Sequence, residues 1–117
     1  MSDLTFTPQQ IENRLFELSK DIESVQNELA DAEGAYTTKK AAFEVAMAKS
    51  RLGLTGIKIT QAEREDRALI ANEDAYLVLN SVEVLVKALR QKMANLRVQV
   101  DIARSIGSSI KASMESL

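Results

Sequence analysis

Apolar residues recur along the first half of the chain at alternating steps of three and four. One column is Leu15, Ile22, Leu29, Tyr36 and Phe43. The other is Ile11, Leu18, Val25 and Ala32, then Lys39, then Ala46. This alternation is the seam of a coiled coil, and it predicts a helix over 8–51. Thr7 can cap that helix. Pro8 suits its first position, where the missing N–H has no partner to lose. Lys39 interrupts the seam. Over 52–59 the periodicity stops, and Gly53, Thr55 and Gly56 supply breaker signals. Leu54, Ile57 and Ile59 make this segment apolar, so it is expected to pack as an elbow. Thr60-Gln61-Ala62-Glu63 then reads as a capping box that opens a second helix over 60–116. Its columns are Leu79, Val86, Met93, Val100, Gly107, Met114 and Val82, Leu89, Leu96, Ala103, Ile110, Leu117. Gly107-Ser108-Ser109 is expected to end or fray it. Near its start the seam shifts: Asn72 and Ala75 occupy the columns while Leu69, Ile70, Tyr76 and Leu77 lie beside them.

The second stripe is wider than one partner helix needs. Val78, Leu85 and Ile106 flank it, with Val84 and Val98 further out. A wide stripe implies more than one neighbouring helix. The expected interface residues are Leu79, Val82, Leu85, Val86, Leu89, Met93, Leu96, Val100 and Ile106. The fold class is therefore all-α, with 1–117 a single helical domain. Two long amphipathic helices form a helical hairpin or coiled coil, completed by oligomerisation. The pattern leaves open whether they fold back on each other or pair between chains.

Composition removes most chemistry. The chain has no Cys and no His. That excludes Cys/His zinc sites, imidazole bases, thiol nucleophiles and Ser-His triads. No Gly-rich phosphate loop is present. The acid groups Glu63/Glu65/Asp66 and Glu73/Asp74 read as solvated faces or helix starts, since adjacent helical positions do not face each other. The expectation is no enzyme, no cofactor, no metal and no small-molecule substrate. The opening Met-Ser-Asp-Leu-Thr lacks a secretory pattern, and no apolar run suits a membrane span, so a cytoplasmic protein is expected.

The net charge of −2 conceals an asymmetry. Residues 1–50 carry nine acids against five bases, and residues 84–117 carry six bases against two acids. Within the basic part, Arg90, Arg97, Arg104 and Lys111 recur every seven residues beside the seam, with Lys87 and Lys92 flanking. Two readings of this column stand. It can pair with Glu12, Asp21, Glu28 and Glu33, which flank the first seam. It can instead track a nucleic-acid backbone, each cation meeting a phosphate. Lys39, Lys40, Lys49, Arg51 and Lys58 form a second, looser basic group near the elbow. Aromatics able to stack on bases are few. Phe16, Tyr36 and Phe43 sit on or beside the seam, so any nucleic-acid contact is expected to be electrostatic.

The layout resembles small helical proteins of tailed phages. The pieces that carry the resemblance are Lys39-Lys40-Ala41-Ala42, the elbow Ile57-Lys58-Ile59-Thr60, and Thr60-Gln-Ala-Glu-Arg-Glu65. The stretch Ala88 to Ser105 closes it. Among characterised families this is most similar to the UvsY-type recombination mediators, over about Ile11 to Ser105. The resemblance implies a helical oligomer that binds single-stranded DNA and helps load a recombinase onto strands coated by single-strand-binding protein. No individual residue role is carried over, and the basic column rests on spacing alone. The expected function is thus a phage accessory protein of DNA recombination or replication in the host cytoplasm. It would bind single-stranded DNA, a recombinase or a single-strand-binding protein. The alternative is a coiled-coil protein-binding module, such as a scaffold or a phage-encoded inhibitor of a host protein.

Overall fold

The computed structural model describes residues 6–116. The opening Met1–Thr5 and the last seam position, Leu117, lie outside the described residues. Three α-helices follow in chain order: α1 (Pro8–Gly53), α2 (Gln61–Ala71) and α3 (Glu73–Glu115). The described residues hold no strand, so the protein is all-α.

The start of α1 is fixed by a reciprocal box. The Gln10 amide N–H donates to Thr7 Oγ1 at 3.1 Å, and the Thr7 N–H donates to Gln10 Oε1 at 2.9 Å. Pro8 follows the cap and lacks a donor to orphan. At the far end, Leu54 and Thr55 donate to the carbonyls of Arg51 and Leu52, both at 3.1 Å. Gly56 then turns the chain with φ +88°, a conformation that disfavours a side chain. The helix runs two residues further than expected, through Gly53.

Two units make up the chain. The first, Met1–Leu29 with Leu89–Leu117, pairs the beginning of α1 with the end of α3. The two segments run antiparallel, since Ile11 lies against Gly107 and the Arg14 guanidinium donates to Gln99 Oε1 at 2.8 Å. The expected seam is the core. Ile11, Leu18 and Val25 are buried from one side, and Leu89, Met93, Leu96 and Ala103 from the other. Leu15, Ile22, Val100 and Ile110 are half-buried. Burial of a side chain such as Leu18 contributes roughly 1.5–3 kcal/mol. Gly107 does not end α3. A Cβ built there would meet Ile11 Cγ2 at 3.2 Å, so this Gly is a site of close helix approach inside a continuing helix.

The second unit, Ala30–Ala88, contains the rest of α1, the elbow, α2 and the start of α3. Its buried side chains are Ala32, Met47, Ala68, Leu79 and Val86. Past exposed Lys39 the α1 stripe changes phase, and Met47 rather than Ala46 is the fully buried residue. A step of four from Phe43 to Met47, where the alternation calls for three, rotates the seam around the helix. Phe43 meets Tyr76 with ring centroids 5.8 Å apart.

The helix expected over 60–116 is instead two helices, broken at Asn72. Its backbone leaves the helix at φ −119°, ψ 26°, and its N–H bonds back to the Leu69 carbonyl at 3.0 Å. The Asn72 amide donates to the Ala68 carbonyl at 2.8 Å and to Ser50 Oγ at 2.9 Å. Asn side chains compete with the helix for just such backbone groups. The capping box at Thr60 forms only by half. Glu63 N–H donates to Thr60 Oγ1 at 3.1 Å, but the Glu63 carboxylate turns forward to Arg67 at 2.7 Å. In the elbow Leu54 and Ile59 are half-buried as expected, whereas Leu52 and Ile57 are exposed.

Candidate nucleic-acid interface

Seven residues of helix rise about 10.5 Å, so a heptad-spaced column keeps one edge of α3 at regular intervals. Arg90, Arg97, Arg104 and Lys111 form that edge in the first unit, and all four are exposed. Each directly follows a seam residue: Leu89, Leu96, Ala103 or Ile110.

The register decides what faces them. With Ile11 beside Gly107, the α1 positions flanking the same side of the seam are Glu12, Ser19 and Gln26. Arg97 falls between Ser19 and Gln26, and Arg104 between Glu12 and Ser19. Arg97 thus faces two neutral side chains, and Arg104 has one acid, Glu12, on one side and neutral Ser19 on the other. Among the described residues, Arg97, Arg104 and Lys111 form no ion pair, and neither do Glu12, Asp21 and Glu28. Arg90 and Glu33 each have an interaction partner. The uncompensated part of the column is therefore Arg97, Arg104 and Lys111.

The elbow group is not one patch. Lys39, Lys40, Lys49, Arg51 and Lys58 all lie in the second unit. Lys40 and Lys49 project from opposite sides of α1, given 3.6 residues per turn. Arg51 is engaged by Glu65, with Nε to Oε1 at 2.8 Å. Lys40 Nζ lies 5.9 Å from the Tyr36 ring centroid, a cation–π contact. Lys39, Lys49 and Lys58 remain exposed on separate directions.

The expected interface residues divide in the same way. Leu79, Val86, Leu89, Met93 and Leu96 are buried, and Val82, Val100 and Ile106 are half-buried, within one chain. Of that set Leu85 stays exposed, at 49%. Also open on α3 are Tyr76 and the seam-column Met114 and, further round, Leu77, Val78, Val84, Val98 and Ile102. The main stripe of the sequence passes over Ile102. This residue stands four positions from Val98 and three from Ser105, a spacing that marks a second stripe.

Ile102 also lines a groove of about 520 Å³ in the first unit, with Phe6, Ile11, Ala103 and Ile106 supplying its apolar wall. Arg14 spans its rim, held by Gln99 and by Glu17 at 3.5 Å. Among the described residues no group of three acids could hold a metal, and no helix is long and apolar enough to cross a membrane. Comparison of the chain with known protein families, with curated proteins and with solved structures finds no match.

Proposed function

We propose that this protein is a non-catalytic, oligomeric accessory of phage DNA recombination or replication that binds the phosphate backbone of single-stranded DNA. The observation that supports this most is the row Arg97, Arg104 and Lys111. These cations are exposed and evenly spaced, they form no ion pair among the described residues, and Arg97 is opposed by neutral Ser19 and Gln26. A row of uncompensated cations attracts a polyanion and needs no base-stacking platform. The biological setting, the host cytoplasm with a recombinase or single-strand-binding protein close by, rests on the resemblance to UvsY-type mediators. The proposal follows the exposed column and leaves the scattered elbow lysines a secondary part.

Titration of single-stranded DNA at low and at moderate salt tests it. Affinity should fall steeply as salt rises, because each cation-phosphate contact releases counterions. The double substitution Arg97→Gln/Arg104→Gln should weaken binding roughly tenfold or more and reduce the salt slope by about 0.7 for each cation removed. Absence of binding at low salt would sink the reading.

A second reading, a protein-binding module acting as scaffold or inhibitor of a host protein, is favoured by the exposed apolar side chains of the second unit. Val45, Leu52, Ile70 and Leu77 are each more than half exposed. A single defined partner captured from host lysate, with no DNA binding, would favour it over the first.

A further inference from the structure

The outward side of α3 carries a second heptad of its own. From Leu77 the positions Ser81, Val84, Ala88, Gln91, Asn95, Val98, Ile102, Ser105, Ser109 and Ala112 follow at alternating steps of four and three. All are exposed, and none is charged. At the chain's 27% charge content, roughly three of these eleven would carry a charge on an ordinary solvated face. The corresponding outer positions of α1 do so, with Glu17, Lys20 and Asp31. The large apolar members are open to water: Val84 is 66% exposed, Val98 56% and Ile102 54%. Exposed, charge-free and seam-spaced positions are the pattern of a helix that packs on both sides.

We propose that a second copy of this chain occupies this face, its α3 running antiparallel about a two-fold axis at Asn95. The charges beside the stripe choose this occupant and this direction. In an antiparallel pair centred on Asn95, Lys87 of each copy meets Asp101 of the other, giving two symmetric ion pairs. In a parallel pair Lys87 would instead meet Lys92, like against like. Lys87 already reaches Glu83 on its own helix at 3.2 Å, yet it remains largely exposed and can serve a second carboxylate. Asp101 has no ion pair among the described residues.

The same alignment sorts the apolar residues. Ile102 packs on Ala88, large on small. Leu85 meets Ile106 at the edge, both flanking the stripe. Val98 meets Gln91, and Val84 meets Ser105. Asn95 meets Asn95 at the axis, where paired amides hydrogen-bond to each other. A self-paired amide at the axis of a helix interface costs stability and selects one register over its neighbours. In a single chain the Gln91 side chain donates to Asn95 Oδ1 at 3.0 Å, so the amide pair is already ordered on this face.

This inference rests on the oligomeric part of the proposed function and is independent of DNA. The chain has no cysteine, so a single introduced thiol reports on its own neighbour. Under mild oxidation without nucleic acid, Asn95→Cys should form a disulfide-linked dimer. Ser109→Cys should not, because its two copies would lie about 40 Å apart at 1.5 Å per residue. Adding Ile102→Glu to Asn95→Cys should remove most of the cross-link while helix content by circular dichroism is kept. No cross-link at Asn95→Cys overturns the proposal, and so does cross-linking at both sites, which means a parallel pair. Persistence of the link in the Ile102→Glu variant overturns it as well. The mass of the unmodified protein in solution separates the two possible failures. A monomer of 12.9 kDa removes the oligomer itself, whereas an oligomer without the Asn95→Cys link removes only this face.

Discussion

The two units use the same helices to different degrees of completeness. Among the described residues, the first buries seven apolar side chains, including Leu18 and Val25, which are almost fully enclosed. The second buries five, and two of those are alanines, Ala32 and Ala68. The exposed side chains point the same way. Val45, Leu52, Ile57, Leu69, Ile70, Tyr76, Leu77, Val78, Val84 and Leu85 lie open in the second unit, against five large apolar residues described in the first. The cause is in the pattern. Three-four alternation without a break keeps one stripe facing one partner. A phase shift past Lys39, the elbow and the break at Asn72 each rotate the stripe, so fewer large side chains meet. A region with few buried side chains opens at lower cost than a region with many.

The largest expected effect sits in the first unit. Leu18→Ala should cost about 3–4 kcal/mol in thermal or urea unfolding, because the side chain is enclosed and its neighbours cannot collapse into the gap. Met47→Ala, the matching truncation in the second unit, should cost about 2 kcal/mol, the low end for such changes. Equal losses at the two sites would erase the contrast. The glycines sharpen it on a smaller scale. Gly34→Ala adds a methyl in open space and should stabilise by about 1 kcal/mol through helix propensity. Gly107→Ala should gain less or lose, since the added methyl meets Ile11, and Gly107→Val should destabilise clearly. Smallest is the coupling between Asn72 and Ser50. A double-mutant cycle with Asn72→Ala and Ser50→Ala should return about 0.5–1 kcal/mol, the scale of one partly exposed hydrogen bond. Hydrogen exchange should place the slowest amides around Leu18–Val25 and Leu89–Leu96.

Much of the fold is legible because the seam is written in the periodicity itself. Ile11 to Ala32 and Leu79 to Ala103 read as they pack. The cap at Thr7 is legible too, although its reciprocal partner is Gln10, at the third helical position. The spacing assigns the same box to Thr60 and Glu63, but there the nearby Arg67 draws the carboxylate away. By periodicity Asn72 is only an awkward seam residue. The signal for a break lies in its neighbours Glu73 and Asp74, since an Asn followed by acids is a helix start. Gly107 reads as a breaker when weighed by propensity alone, and its packing role emerges only when the opposing Ile11 is known. For the candidate site, the column of cations can be read from spacing. Whether acids face it depends on register, which sequence alone leaves open. Until the register is set, nothing makes Ser19 and Gln26 stand out.

The contact between Ile11 and Gly107 has a further consequence, for alignment rather than strength. A regular seam is nearly indifferent to sliding by one repeat, because every heptad offers similar partners. The missing Cβ at Gly107 is a notch, and in the first unit it accepts one knob. Sliding the helices by a repeat would set Ile11 against Val100 or Met114, which carry side chains where Gly107 has none. The glycine that lowers the helix's intrinsic propensity thus works as a vernier mark on the hairpin. It penalises slipped alignments that the rest of the seam would tolerate, and it thereby sets which of the α1 side chains stand across from Arg97 and Arg104.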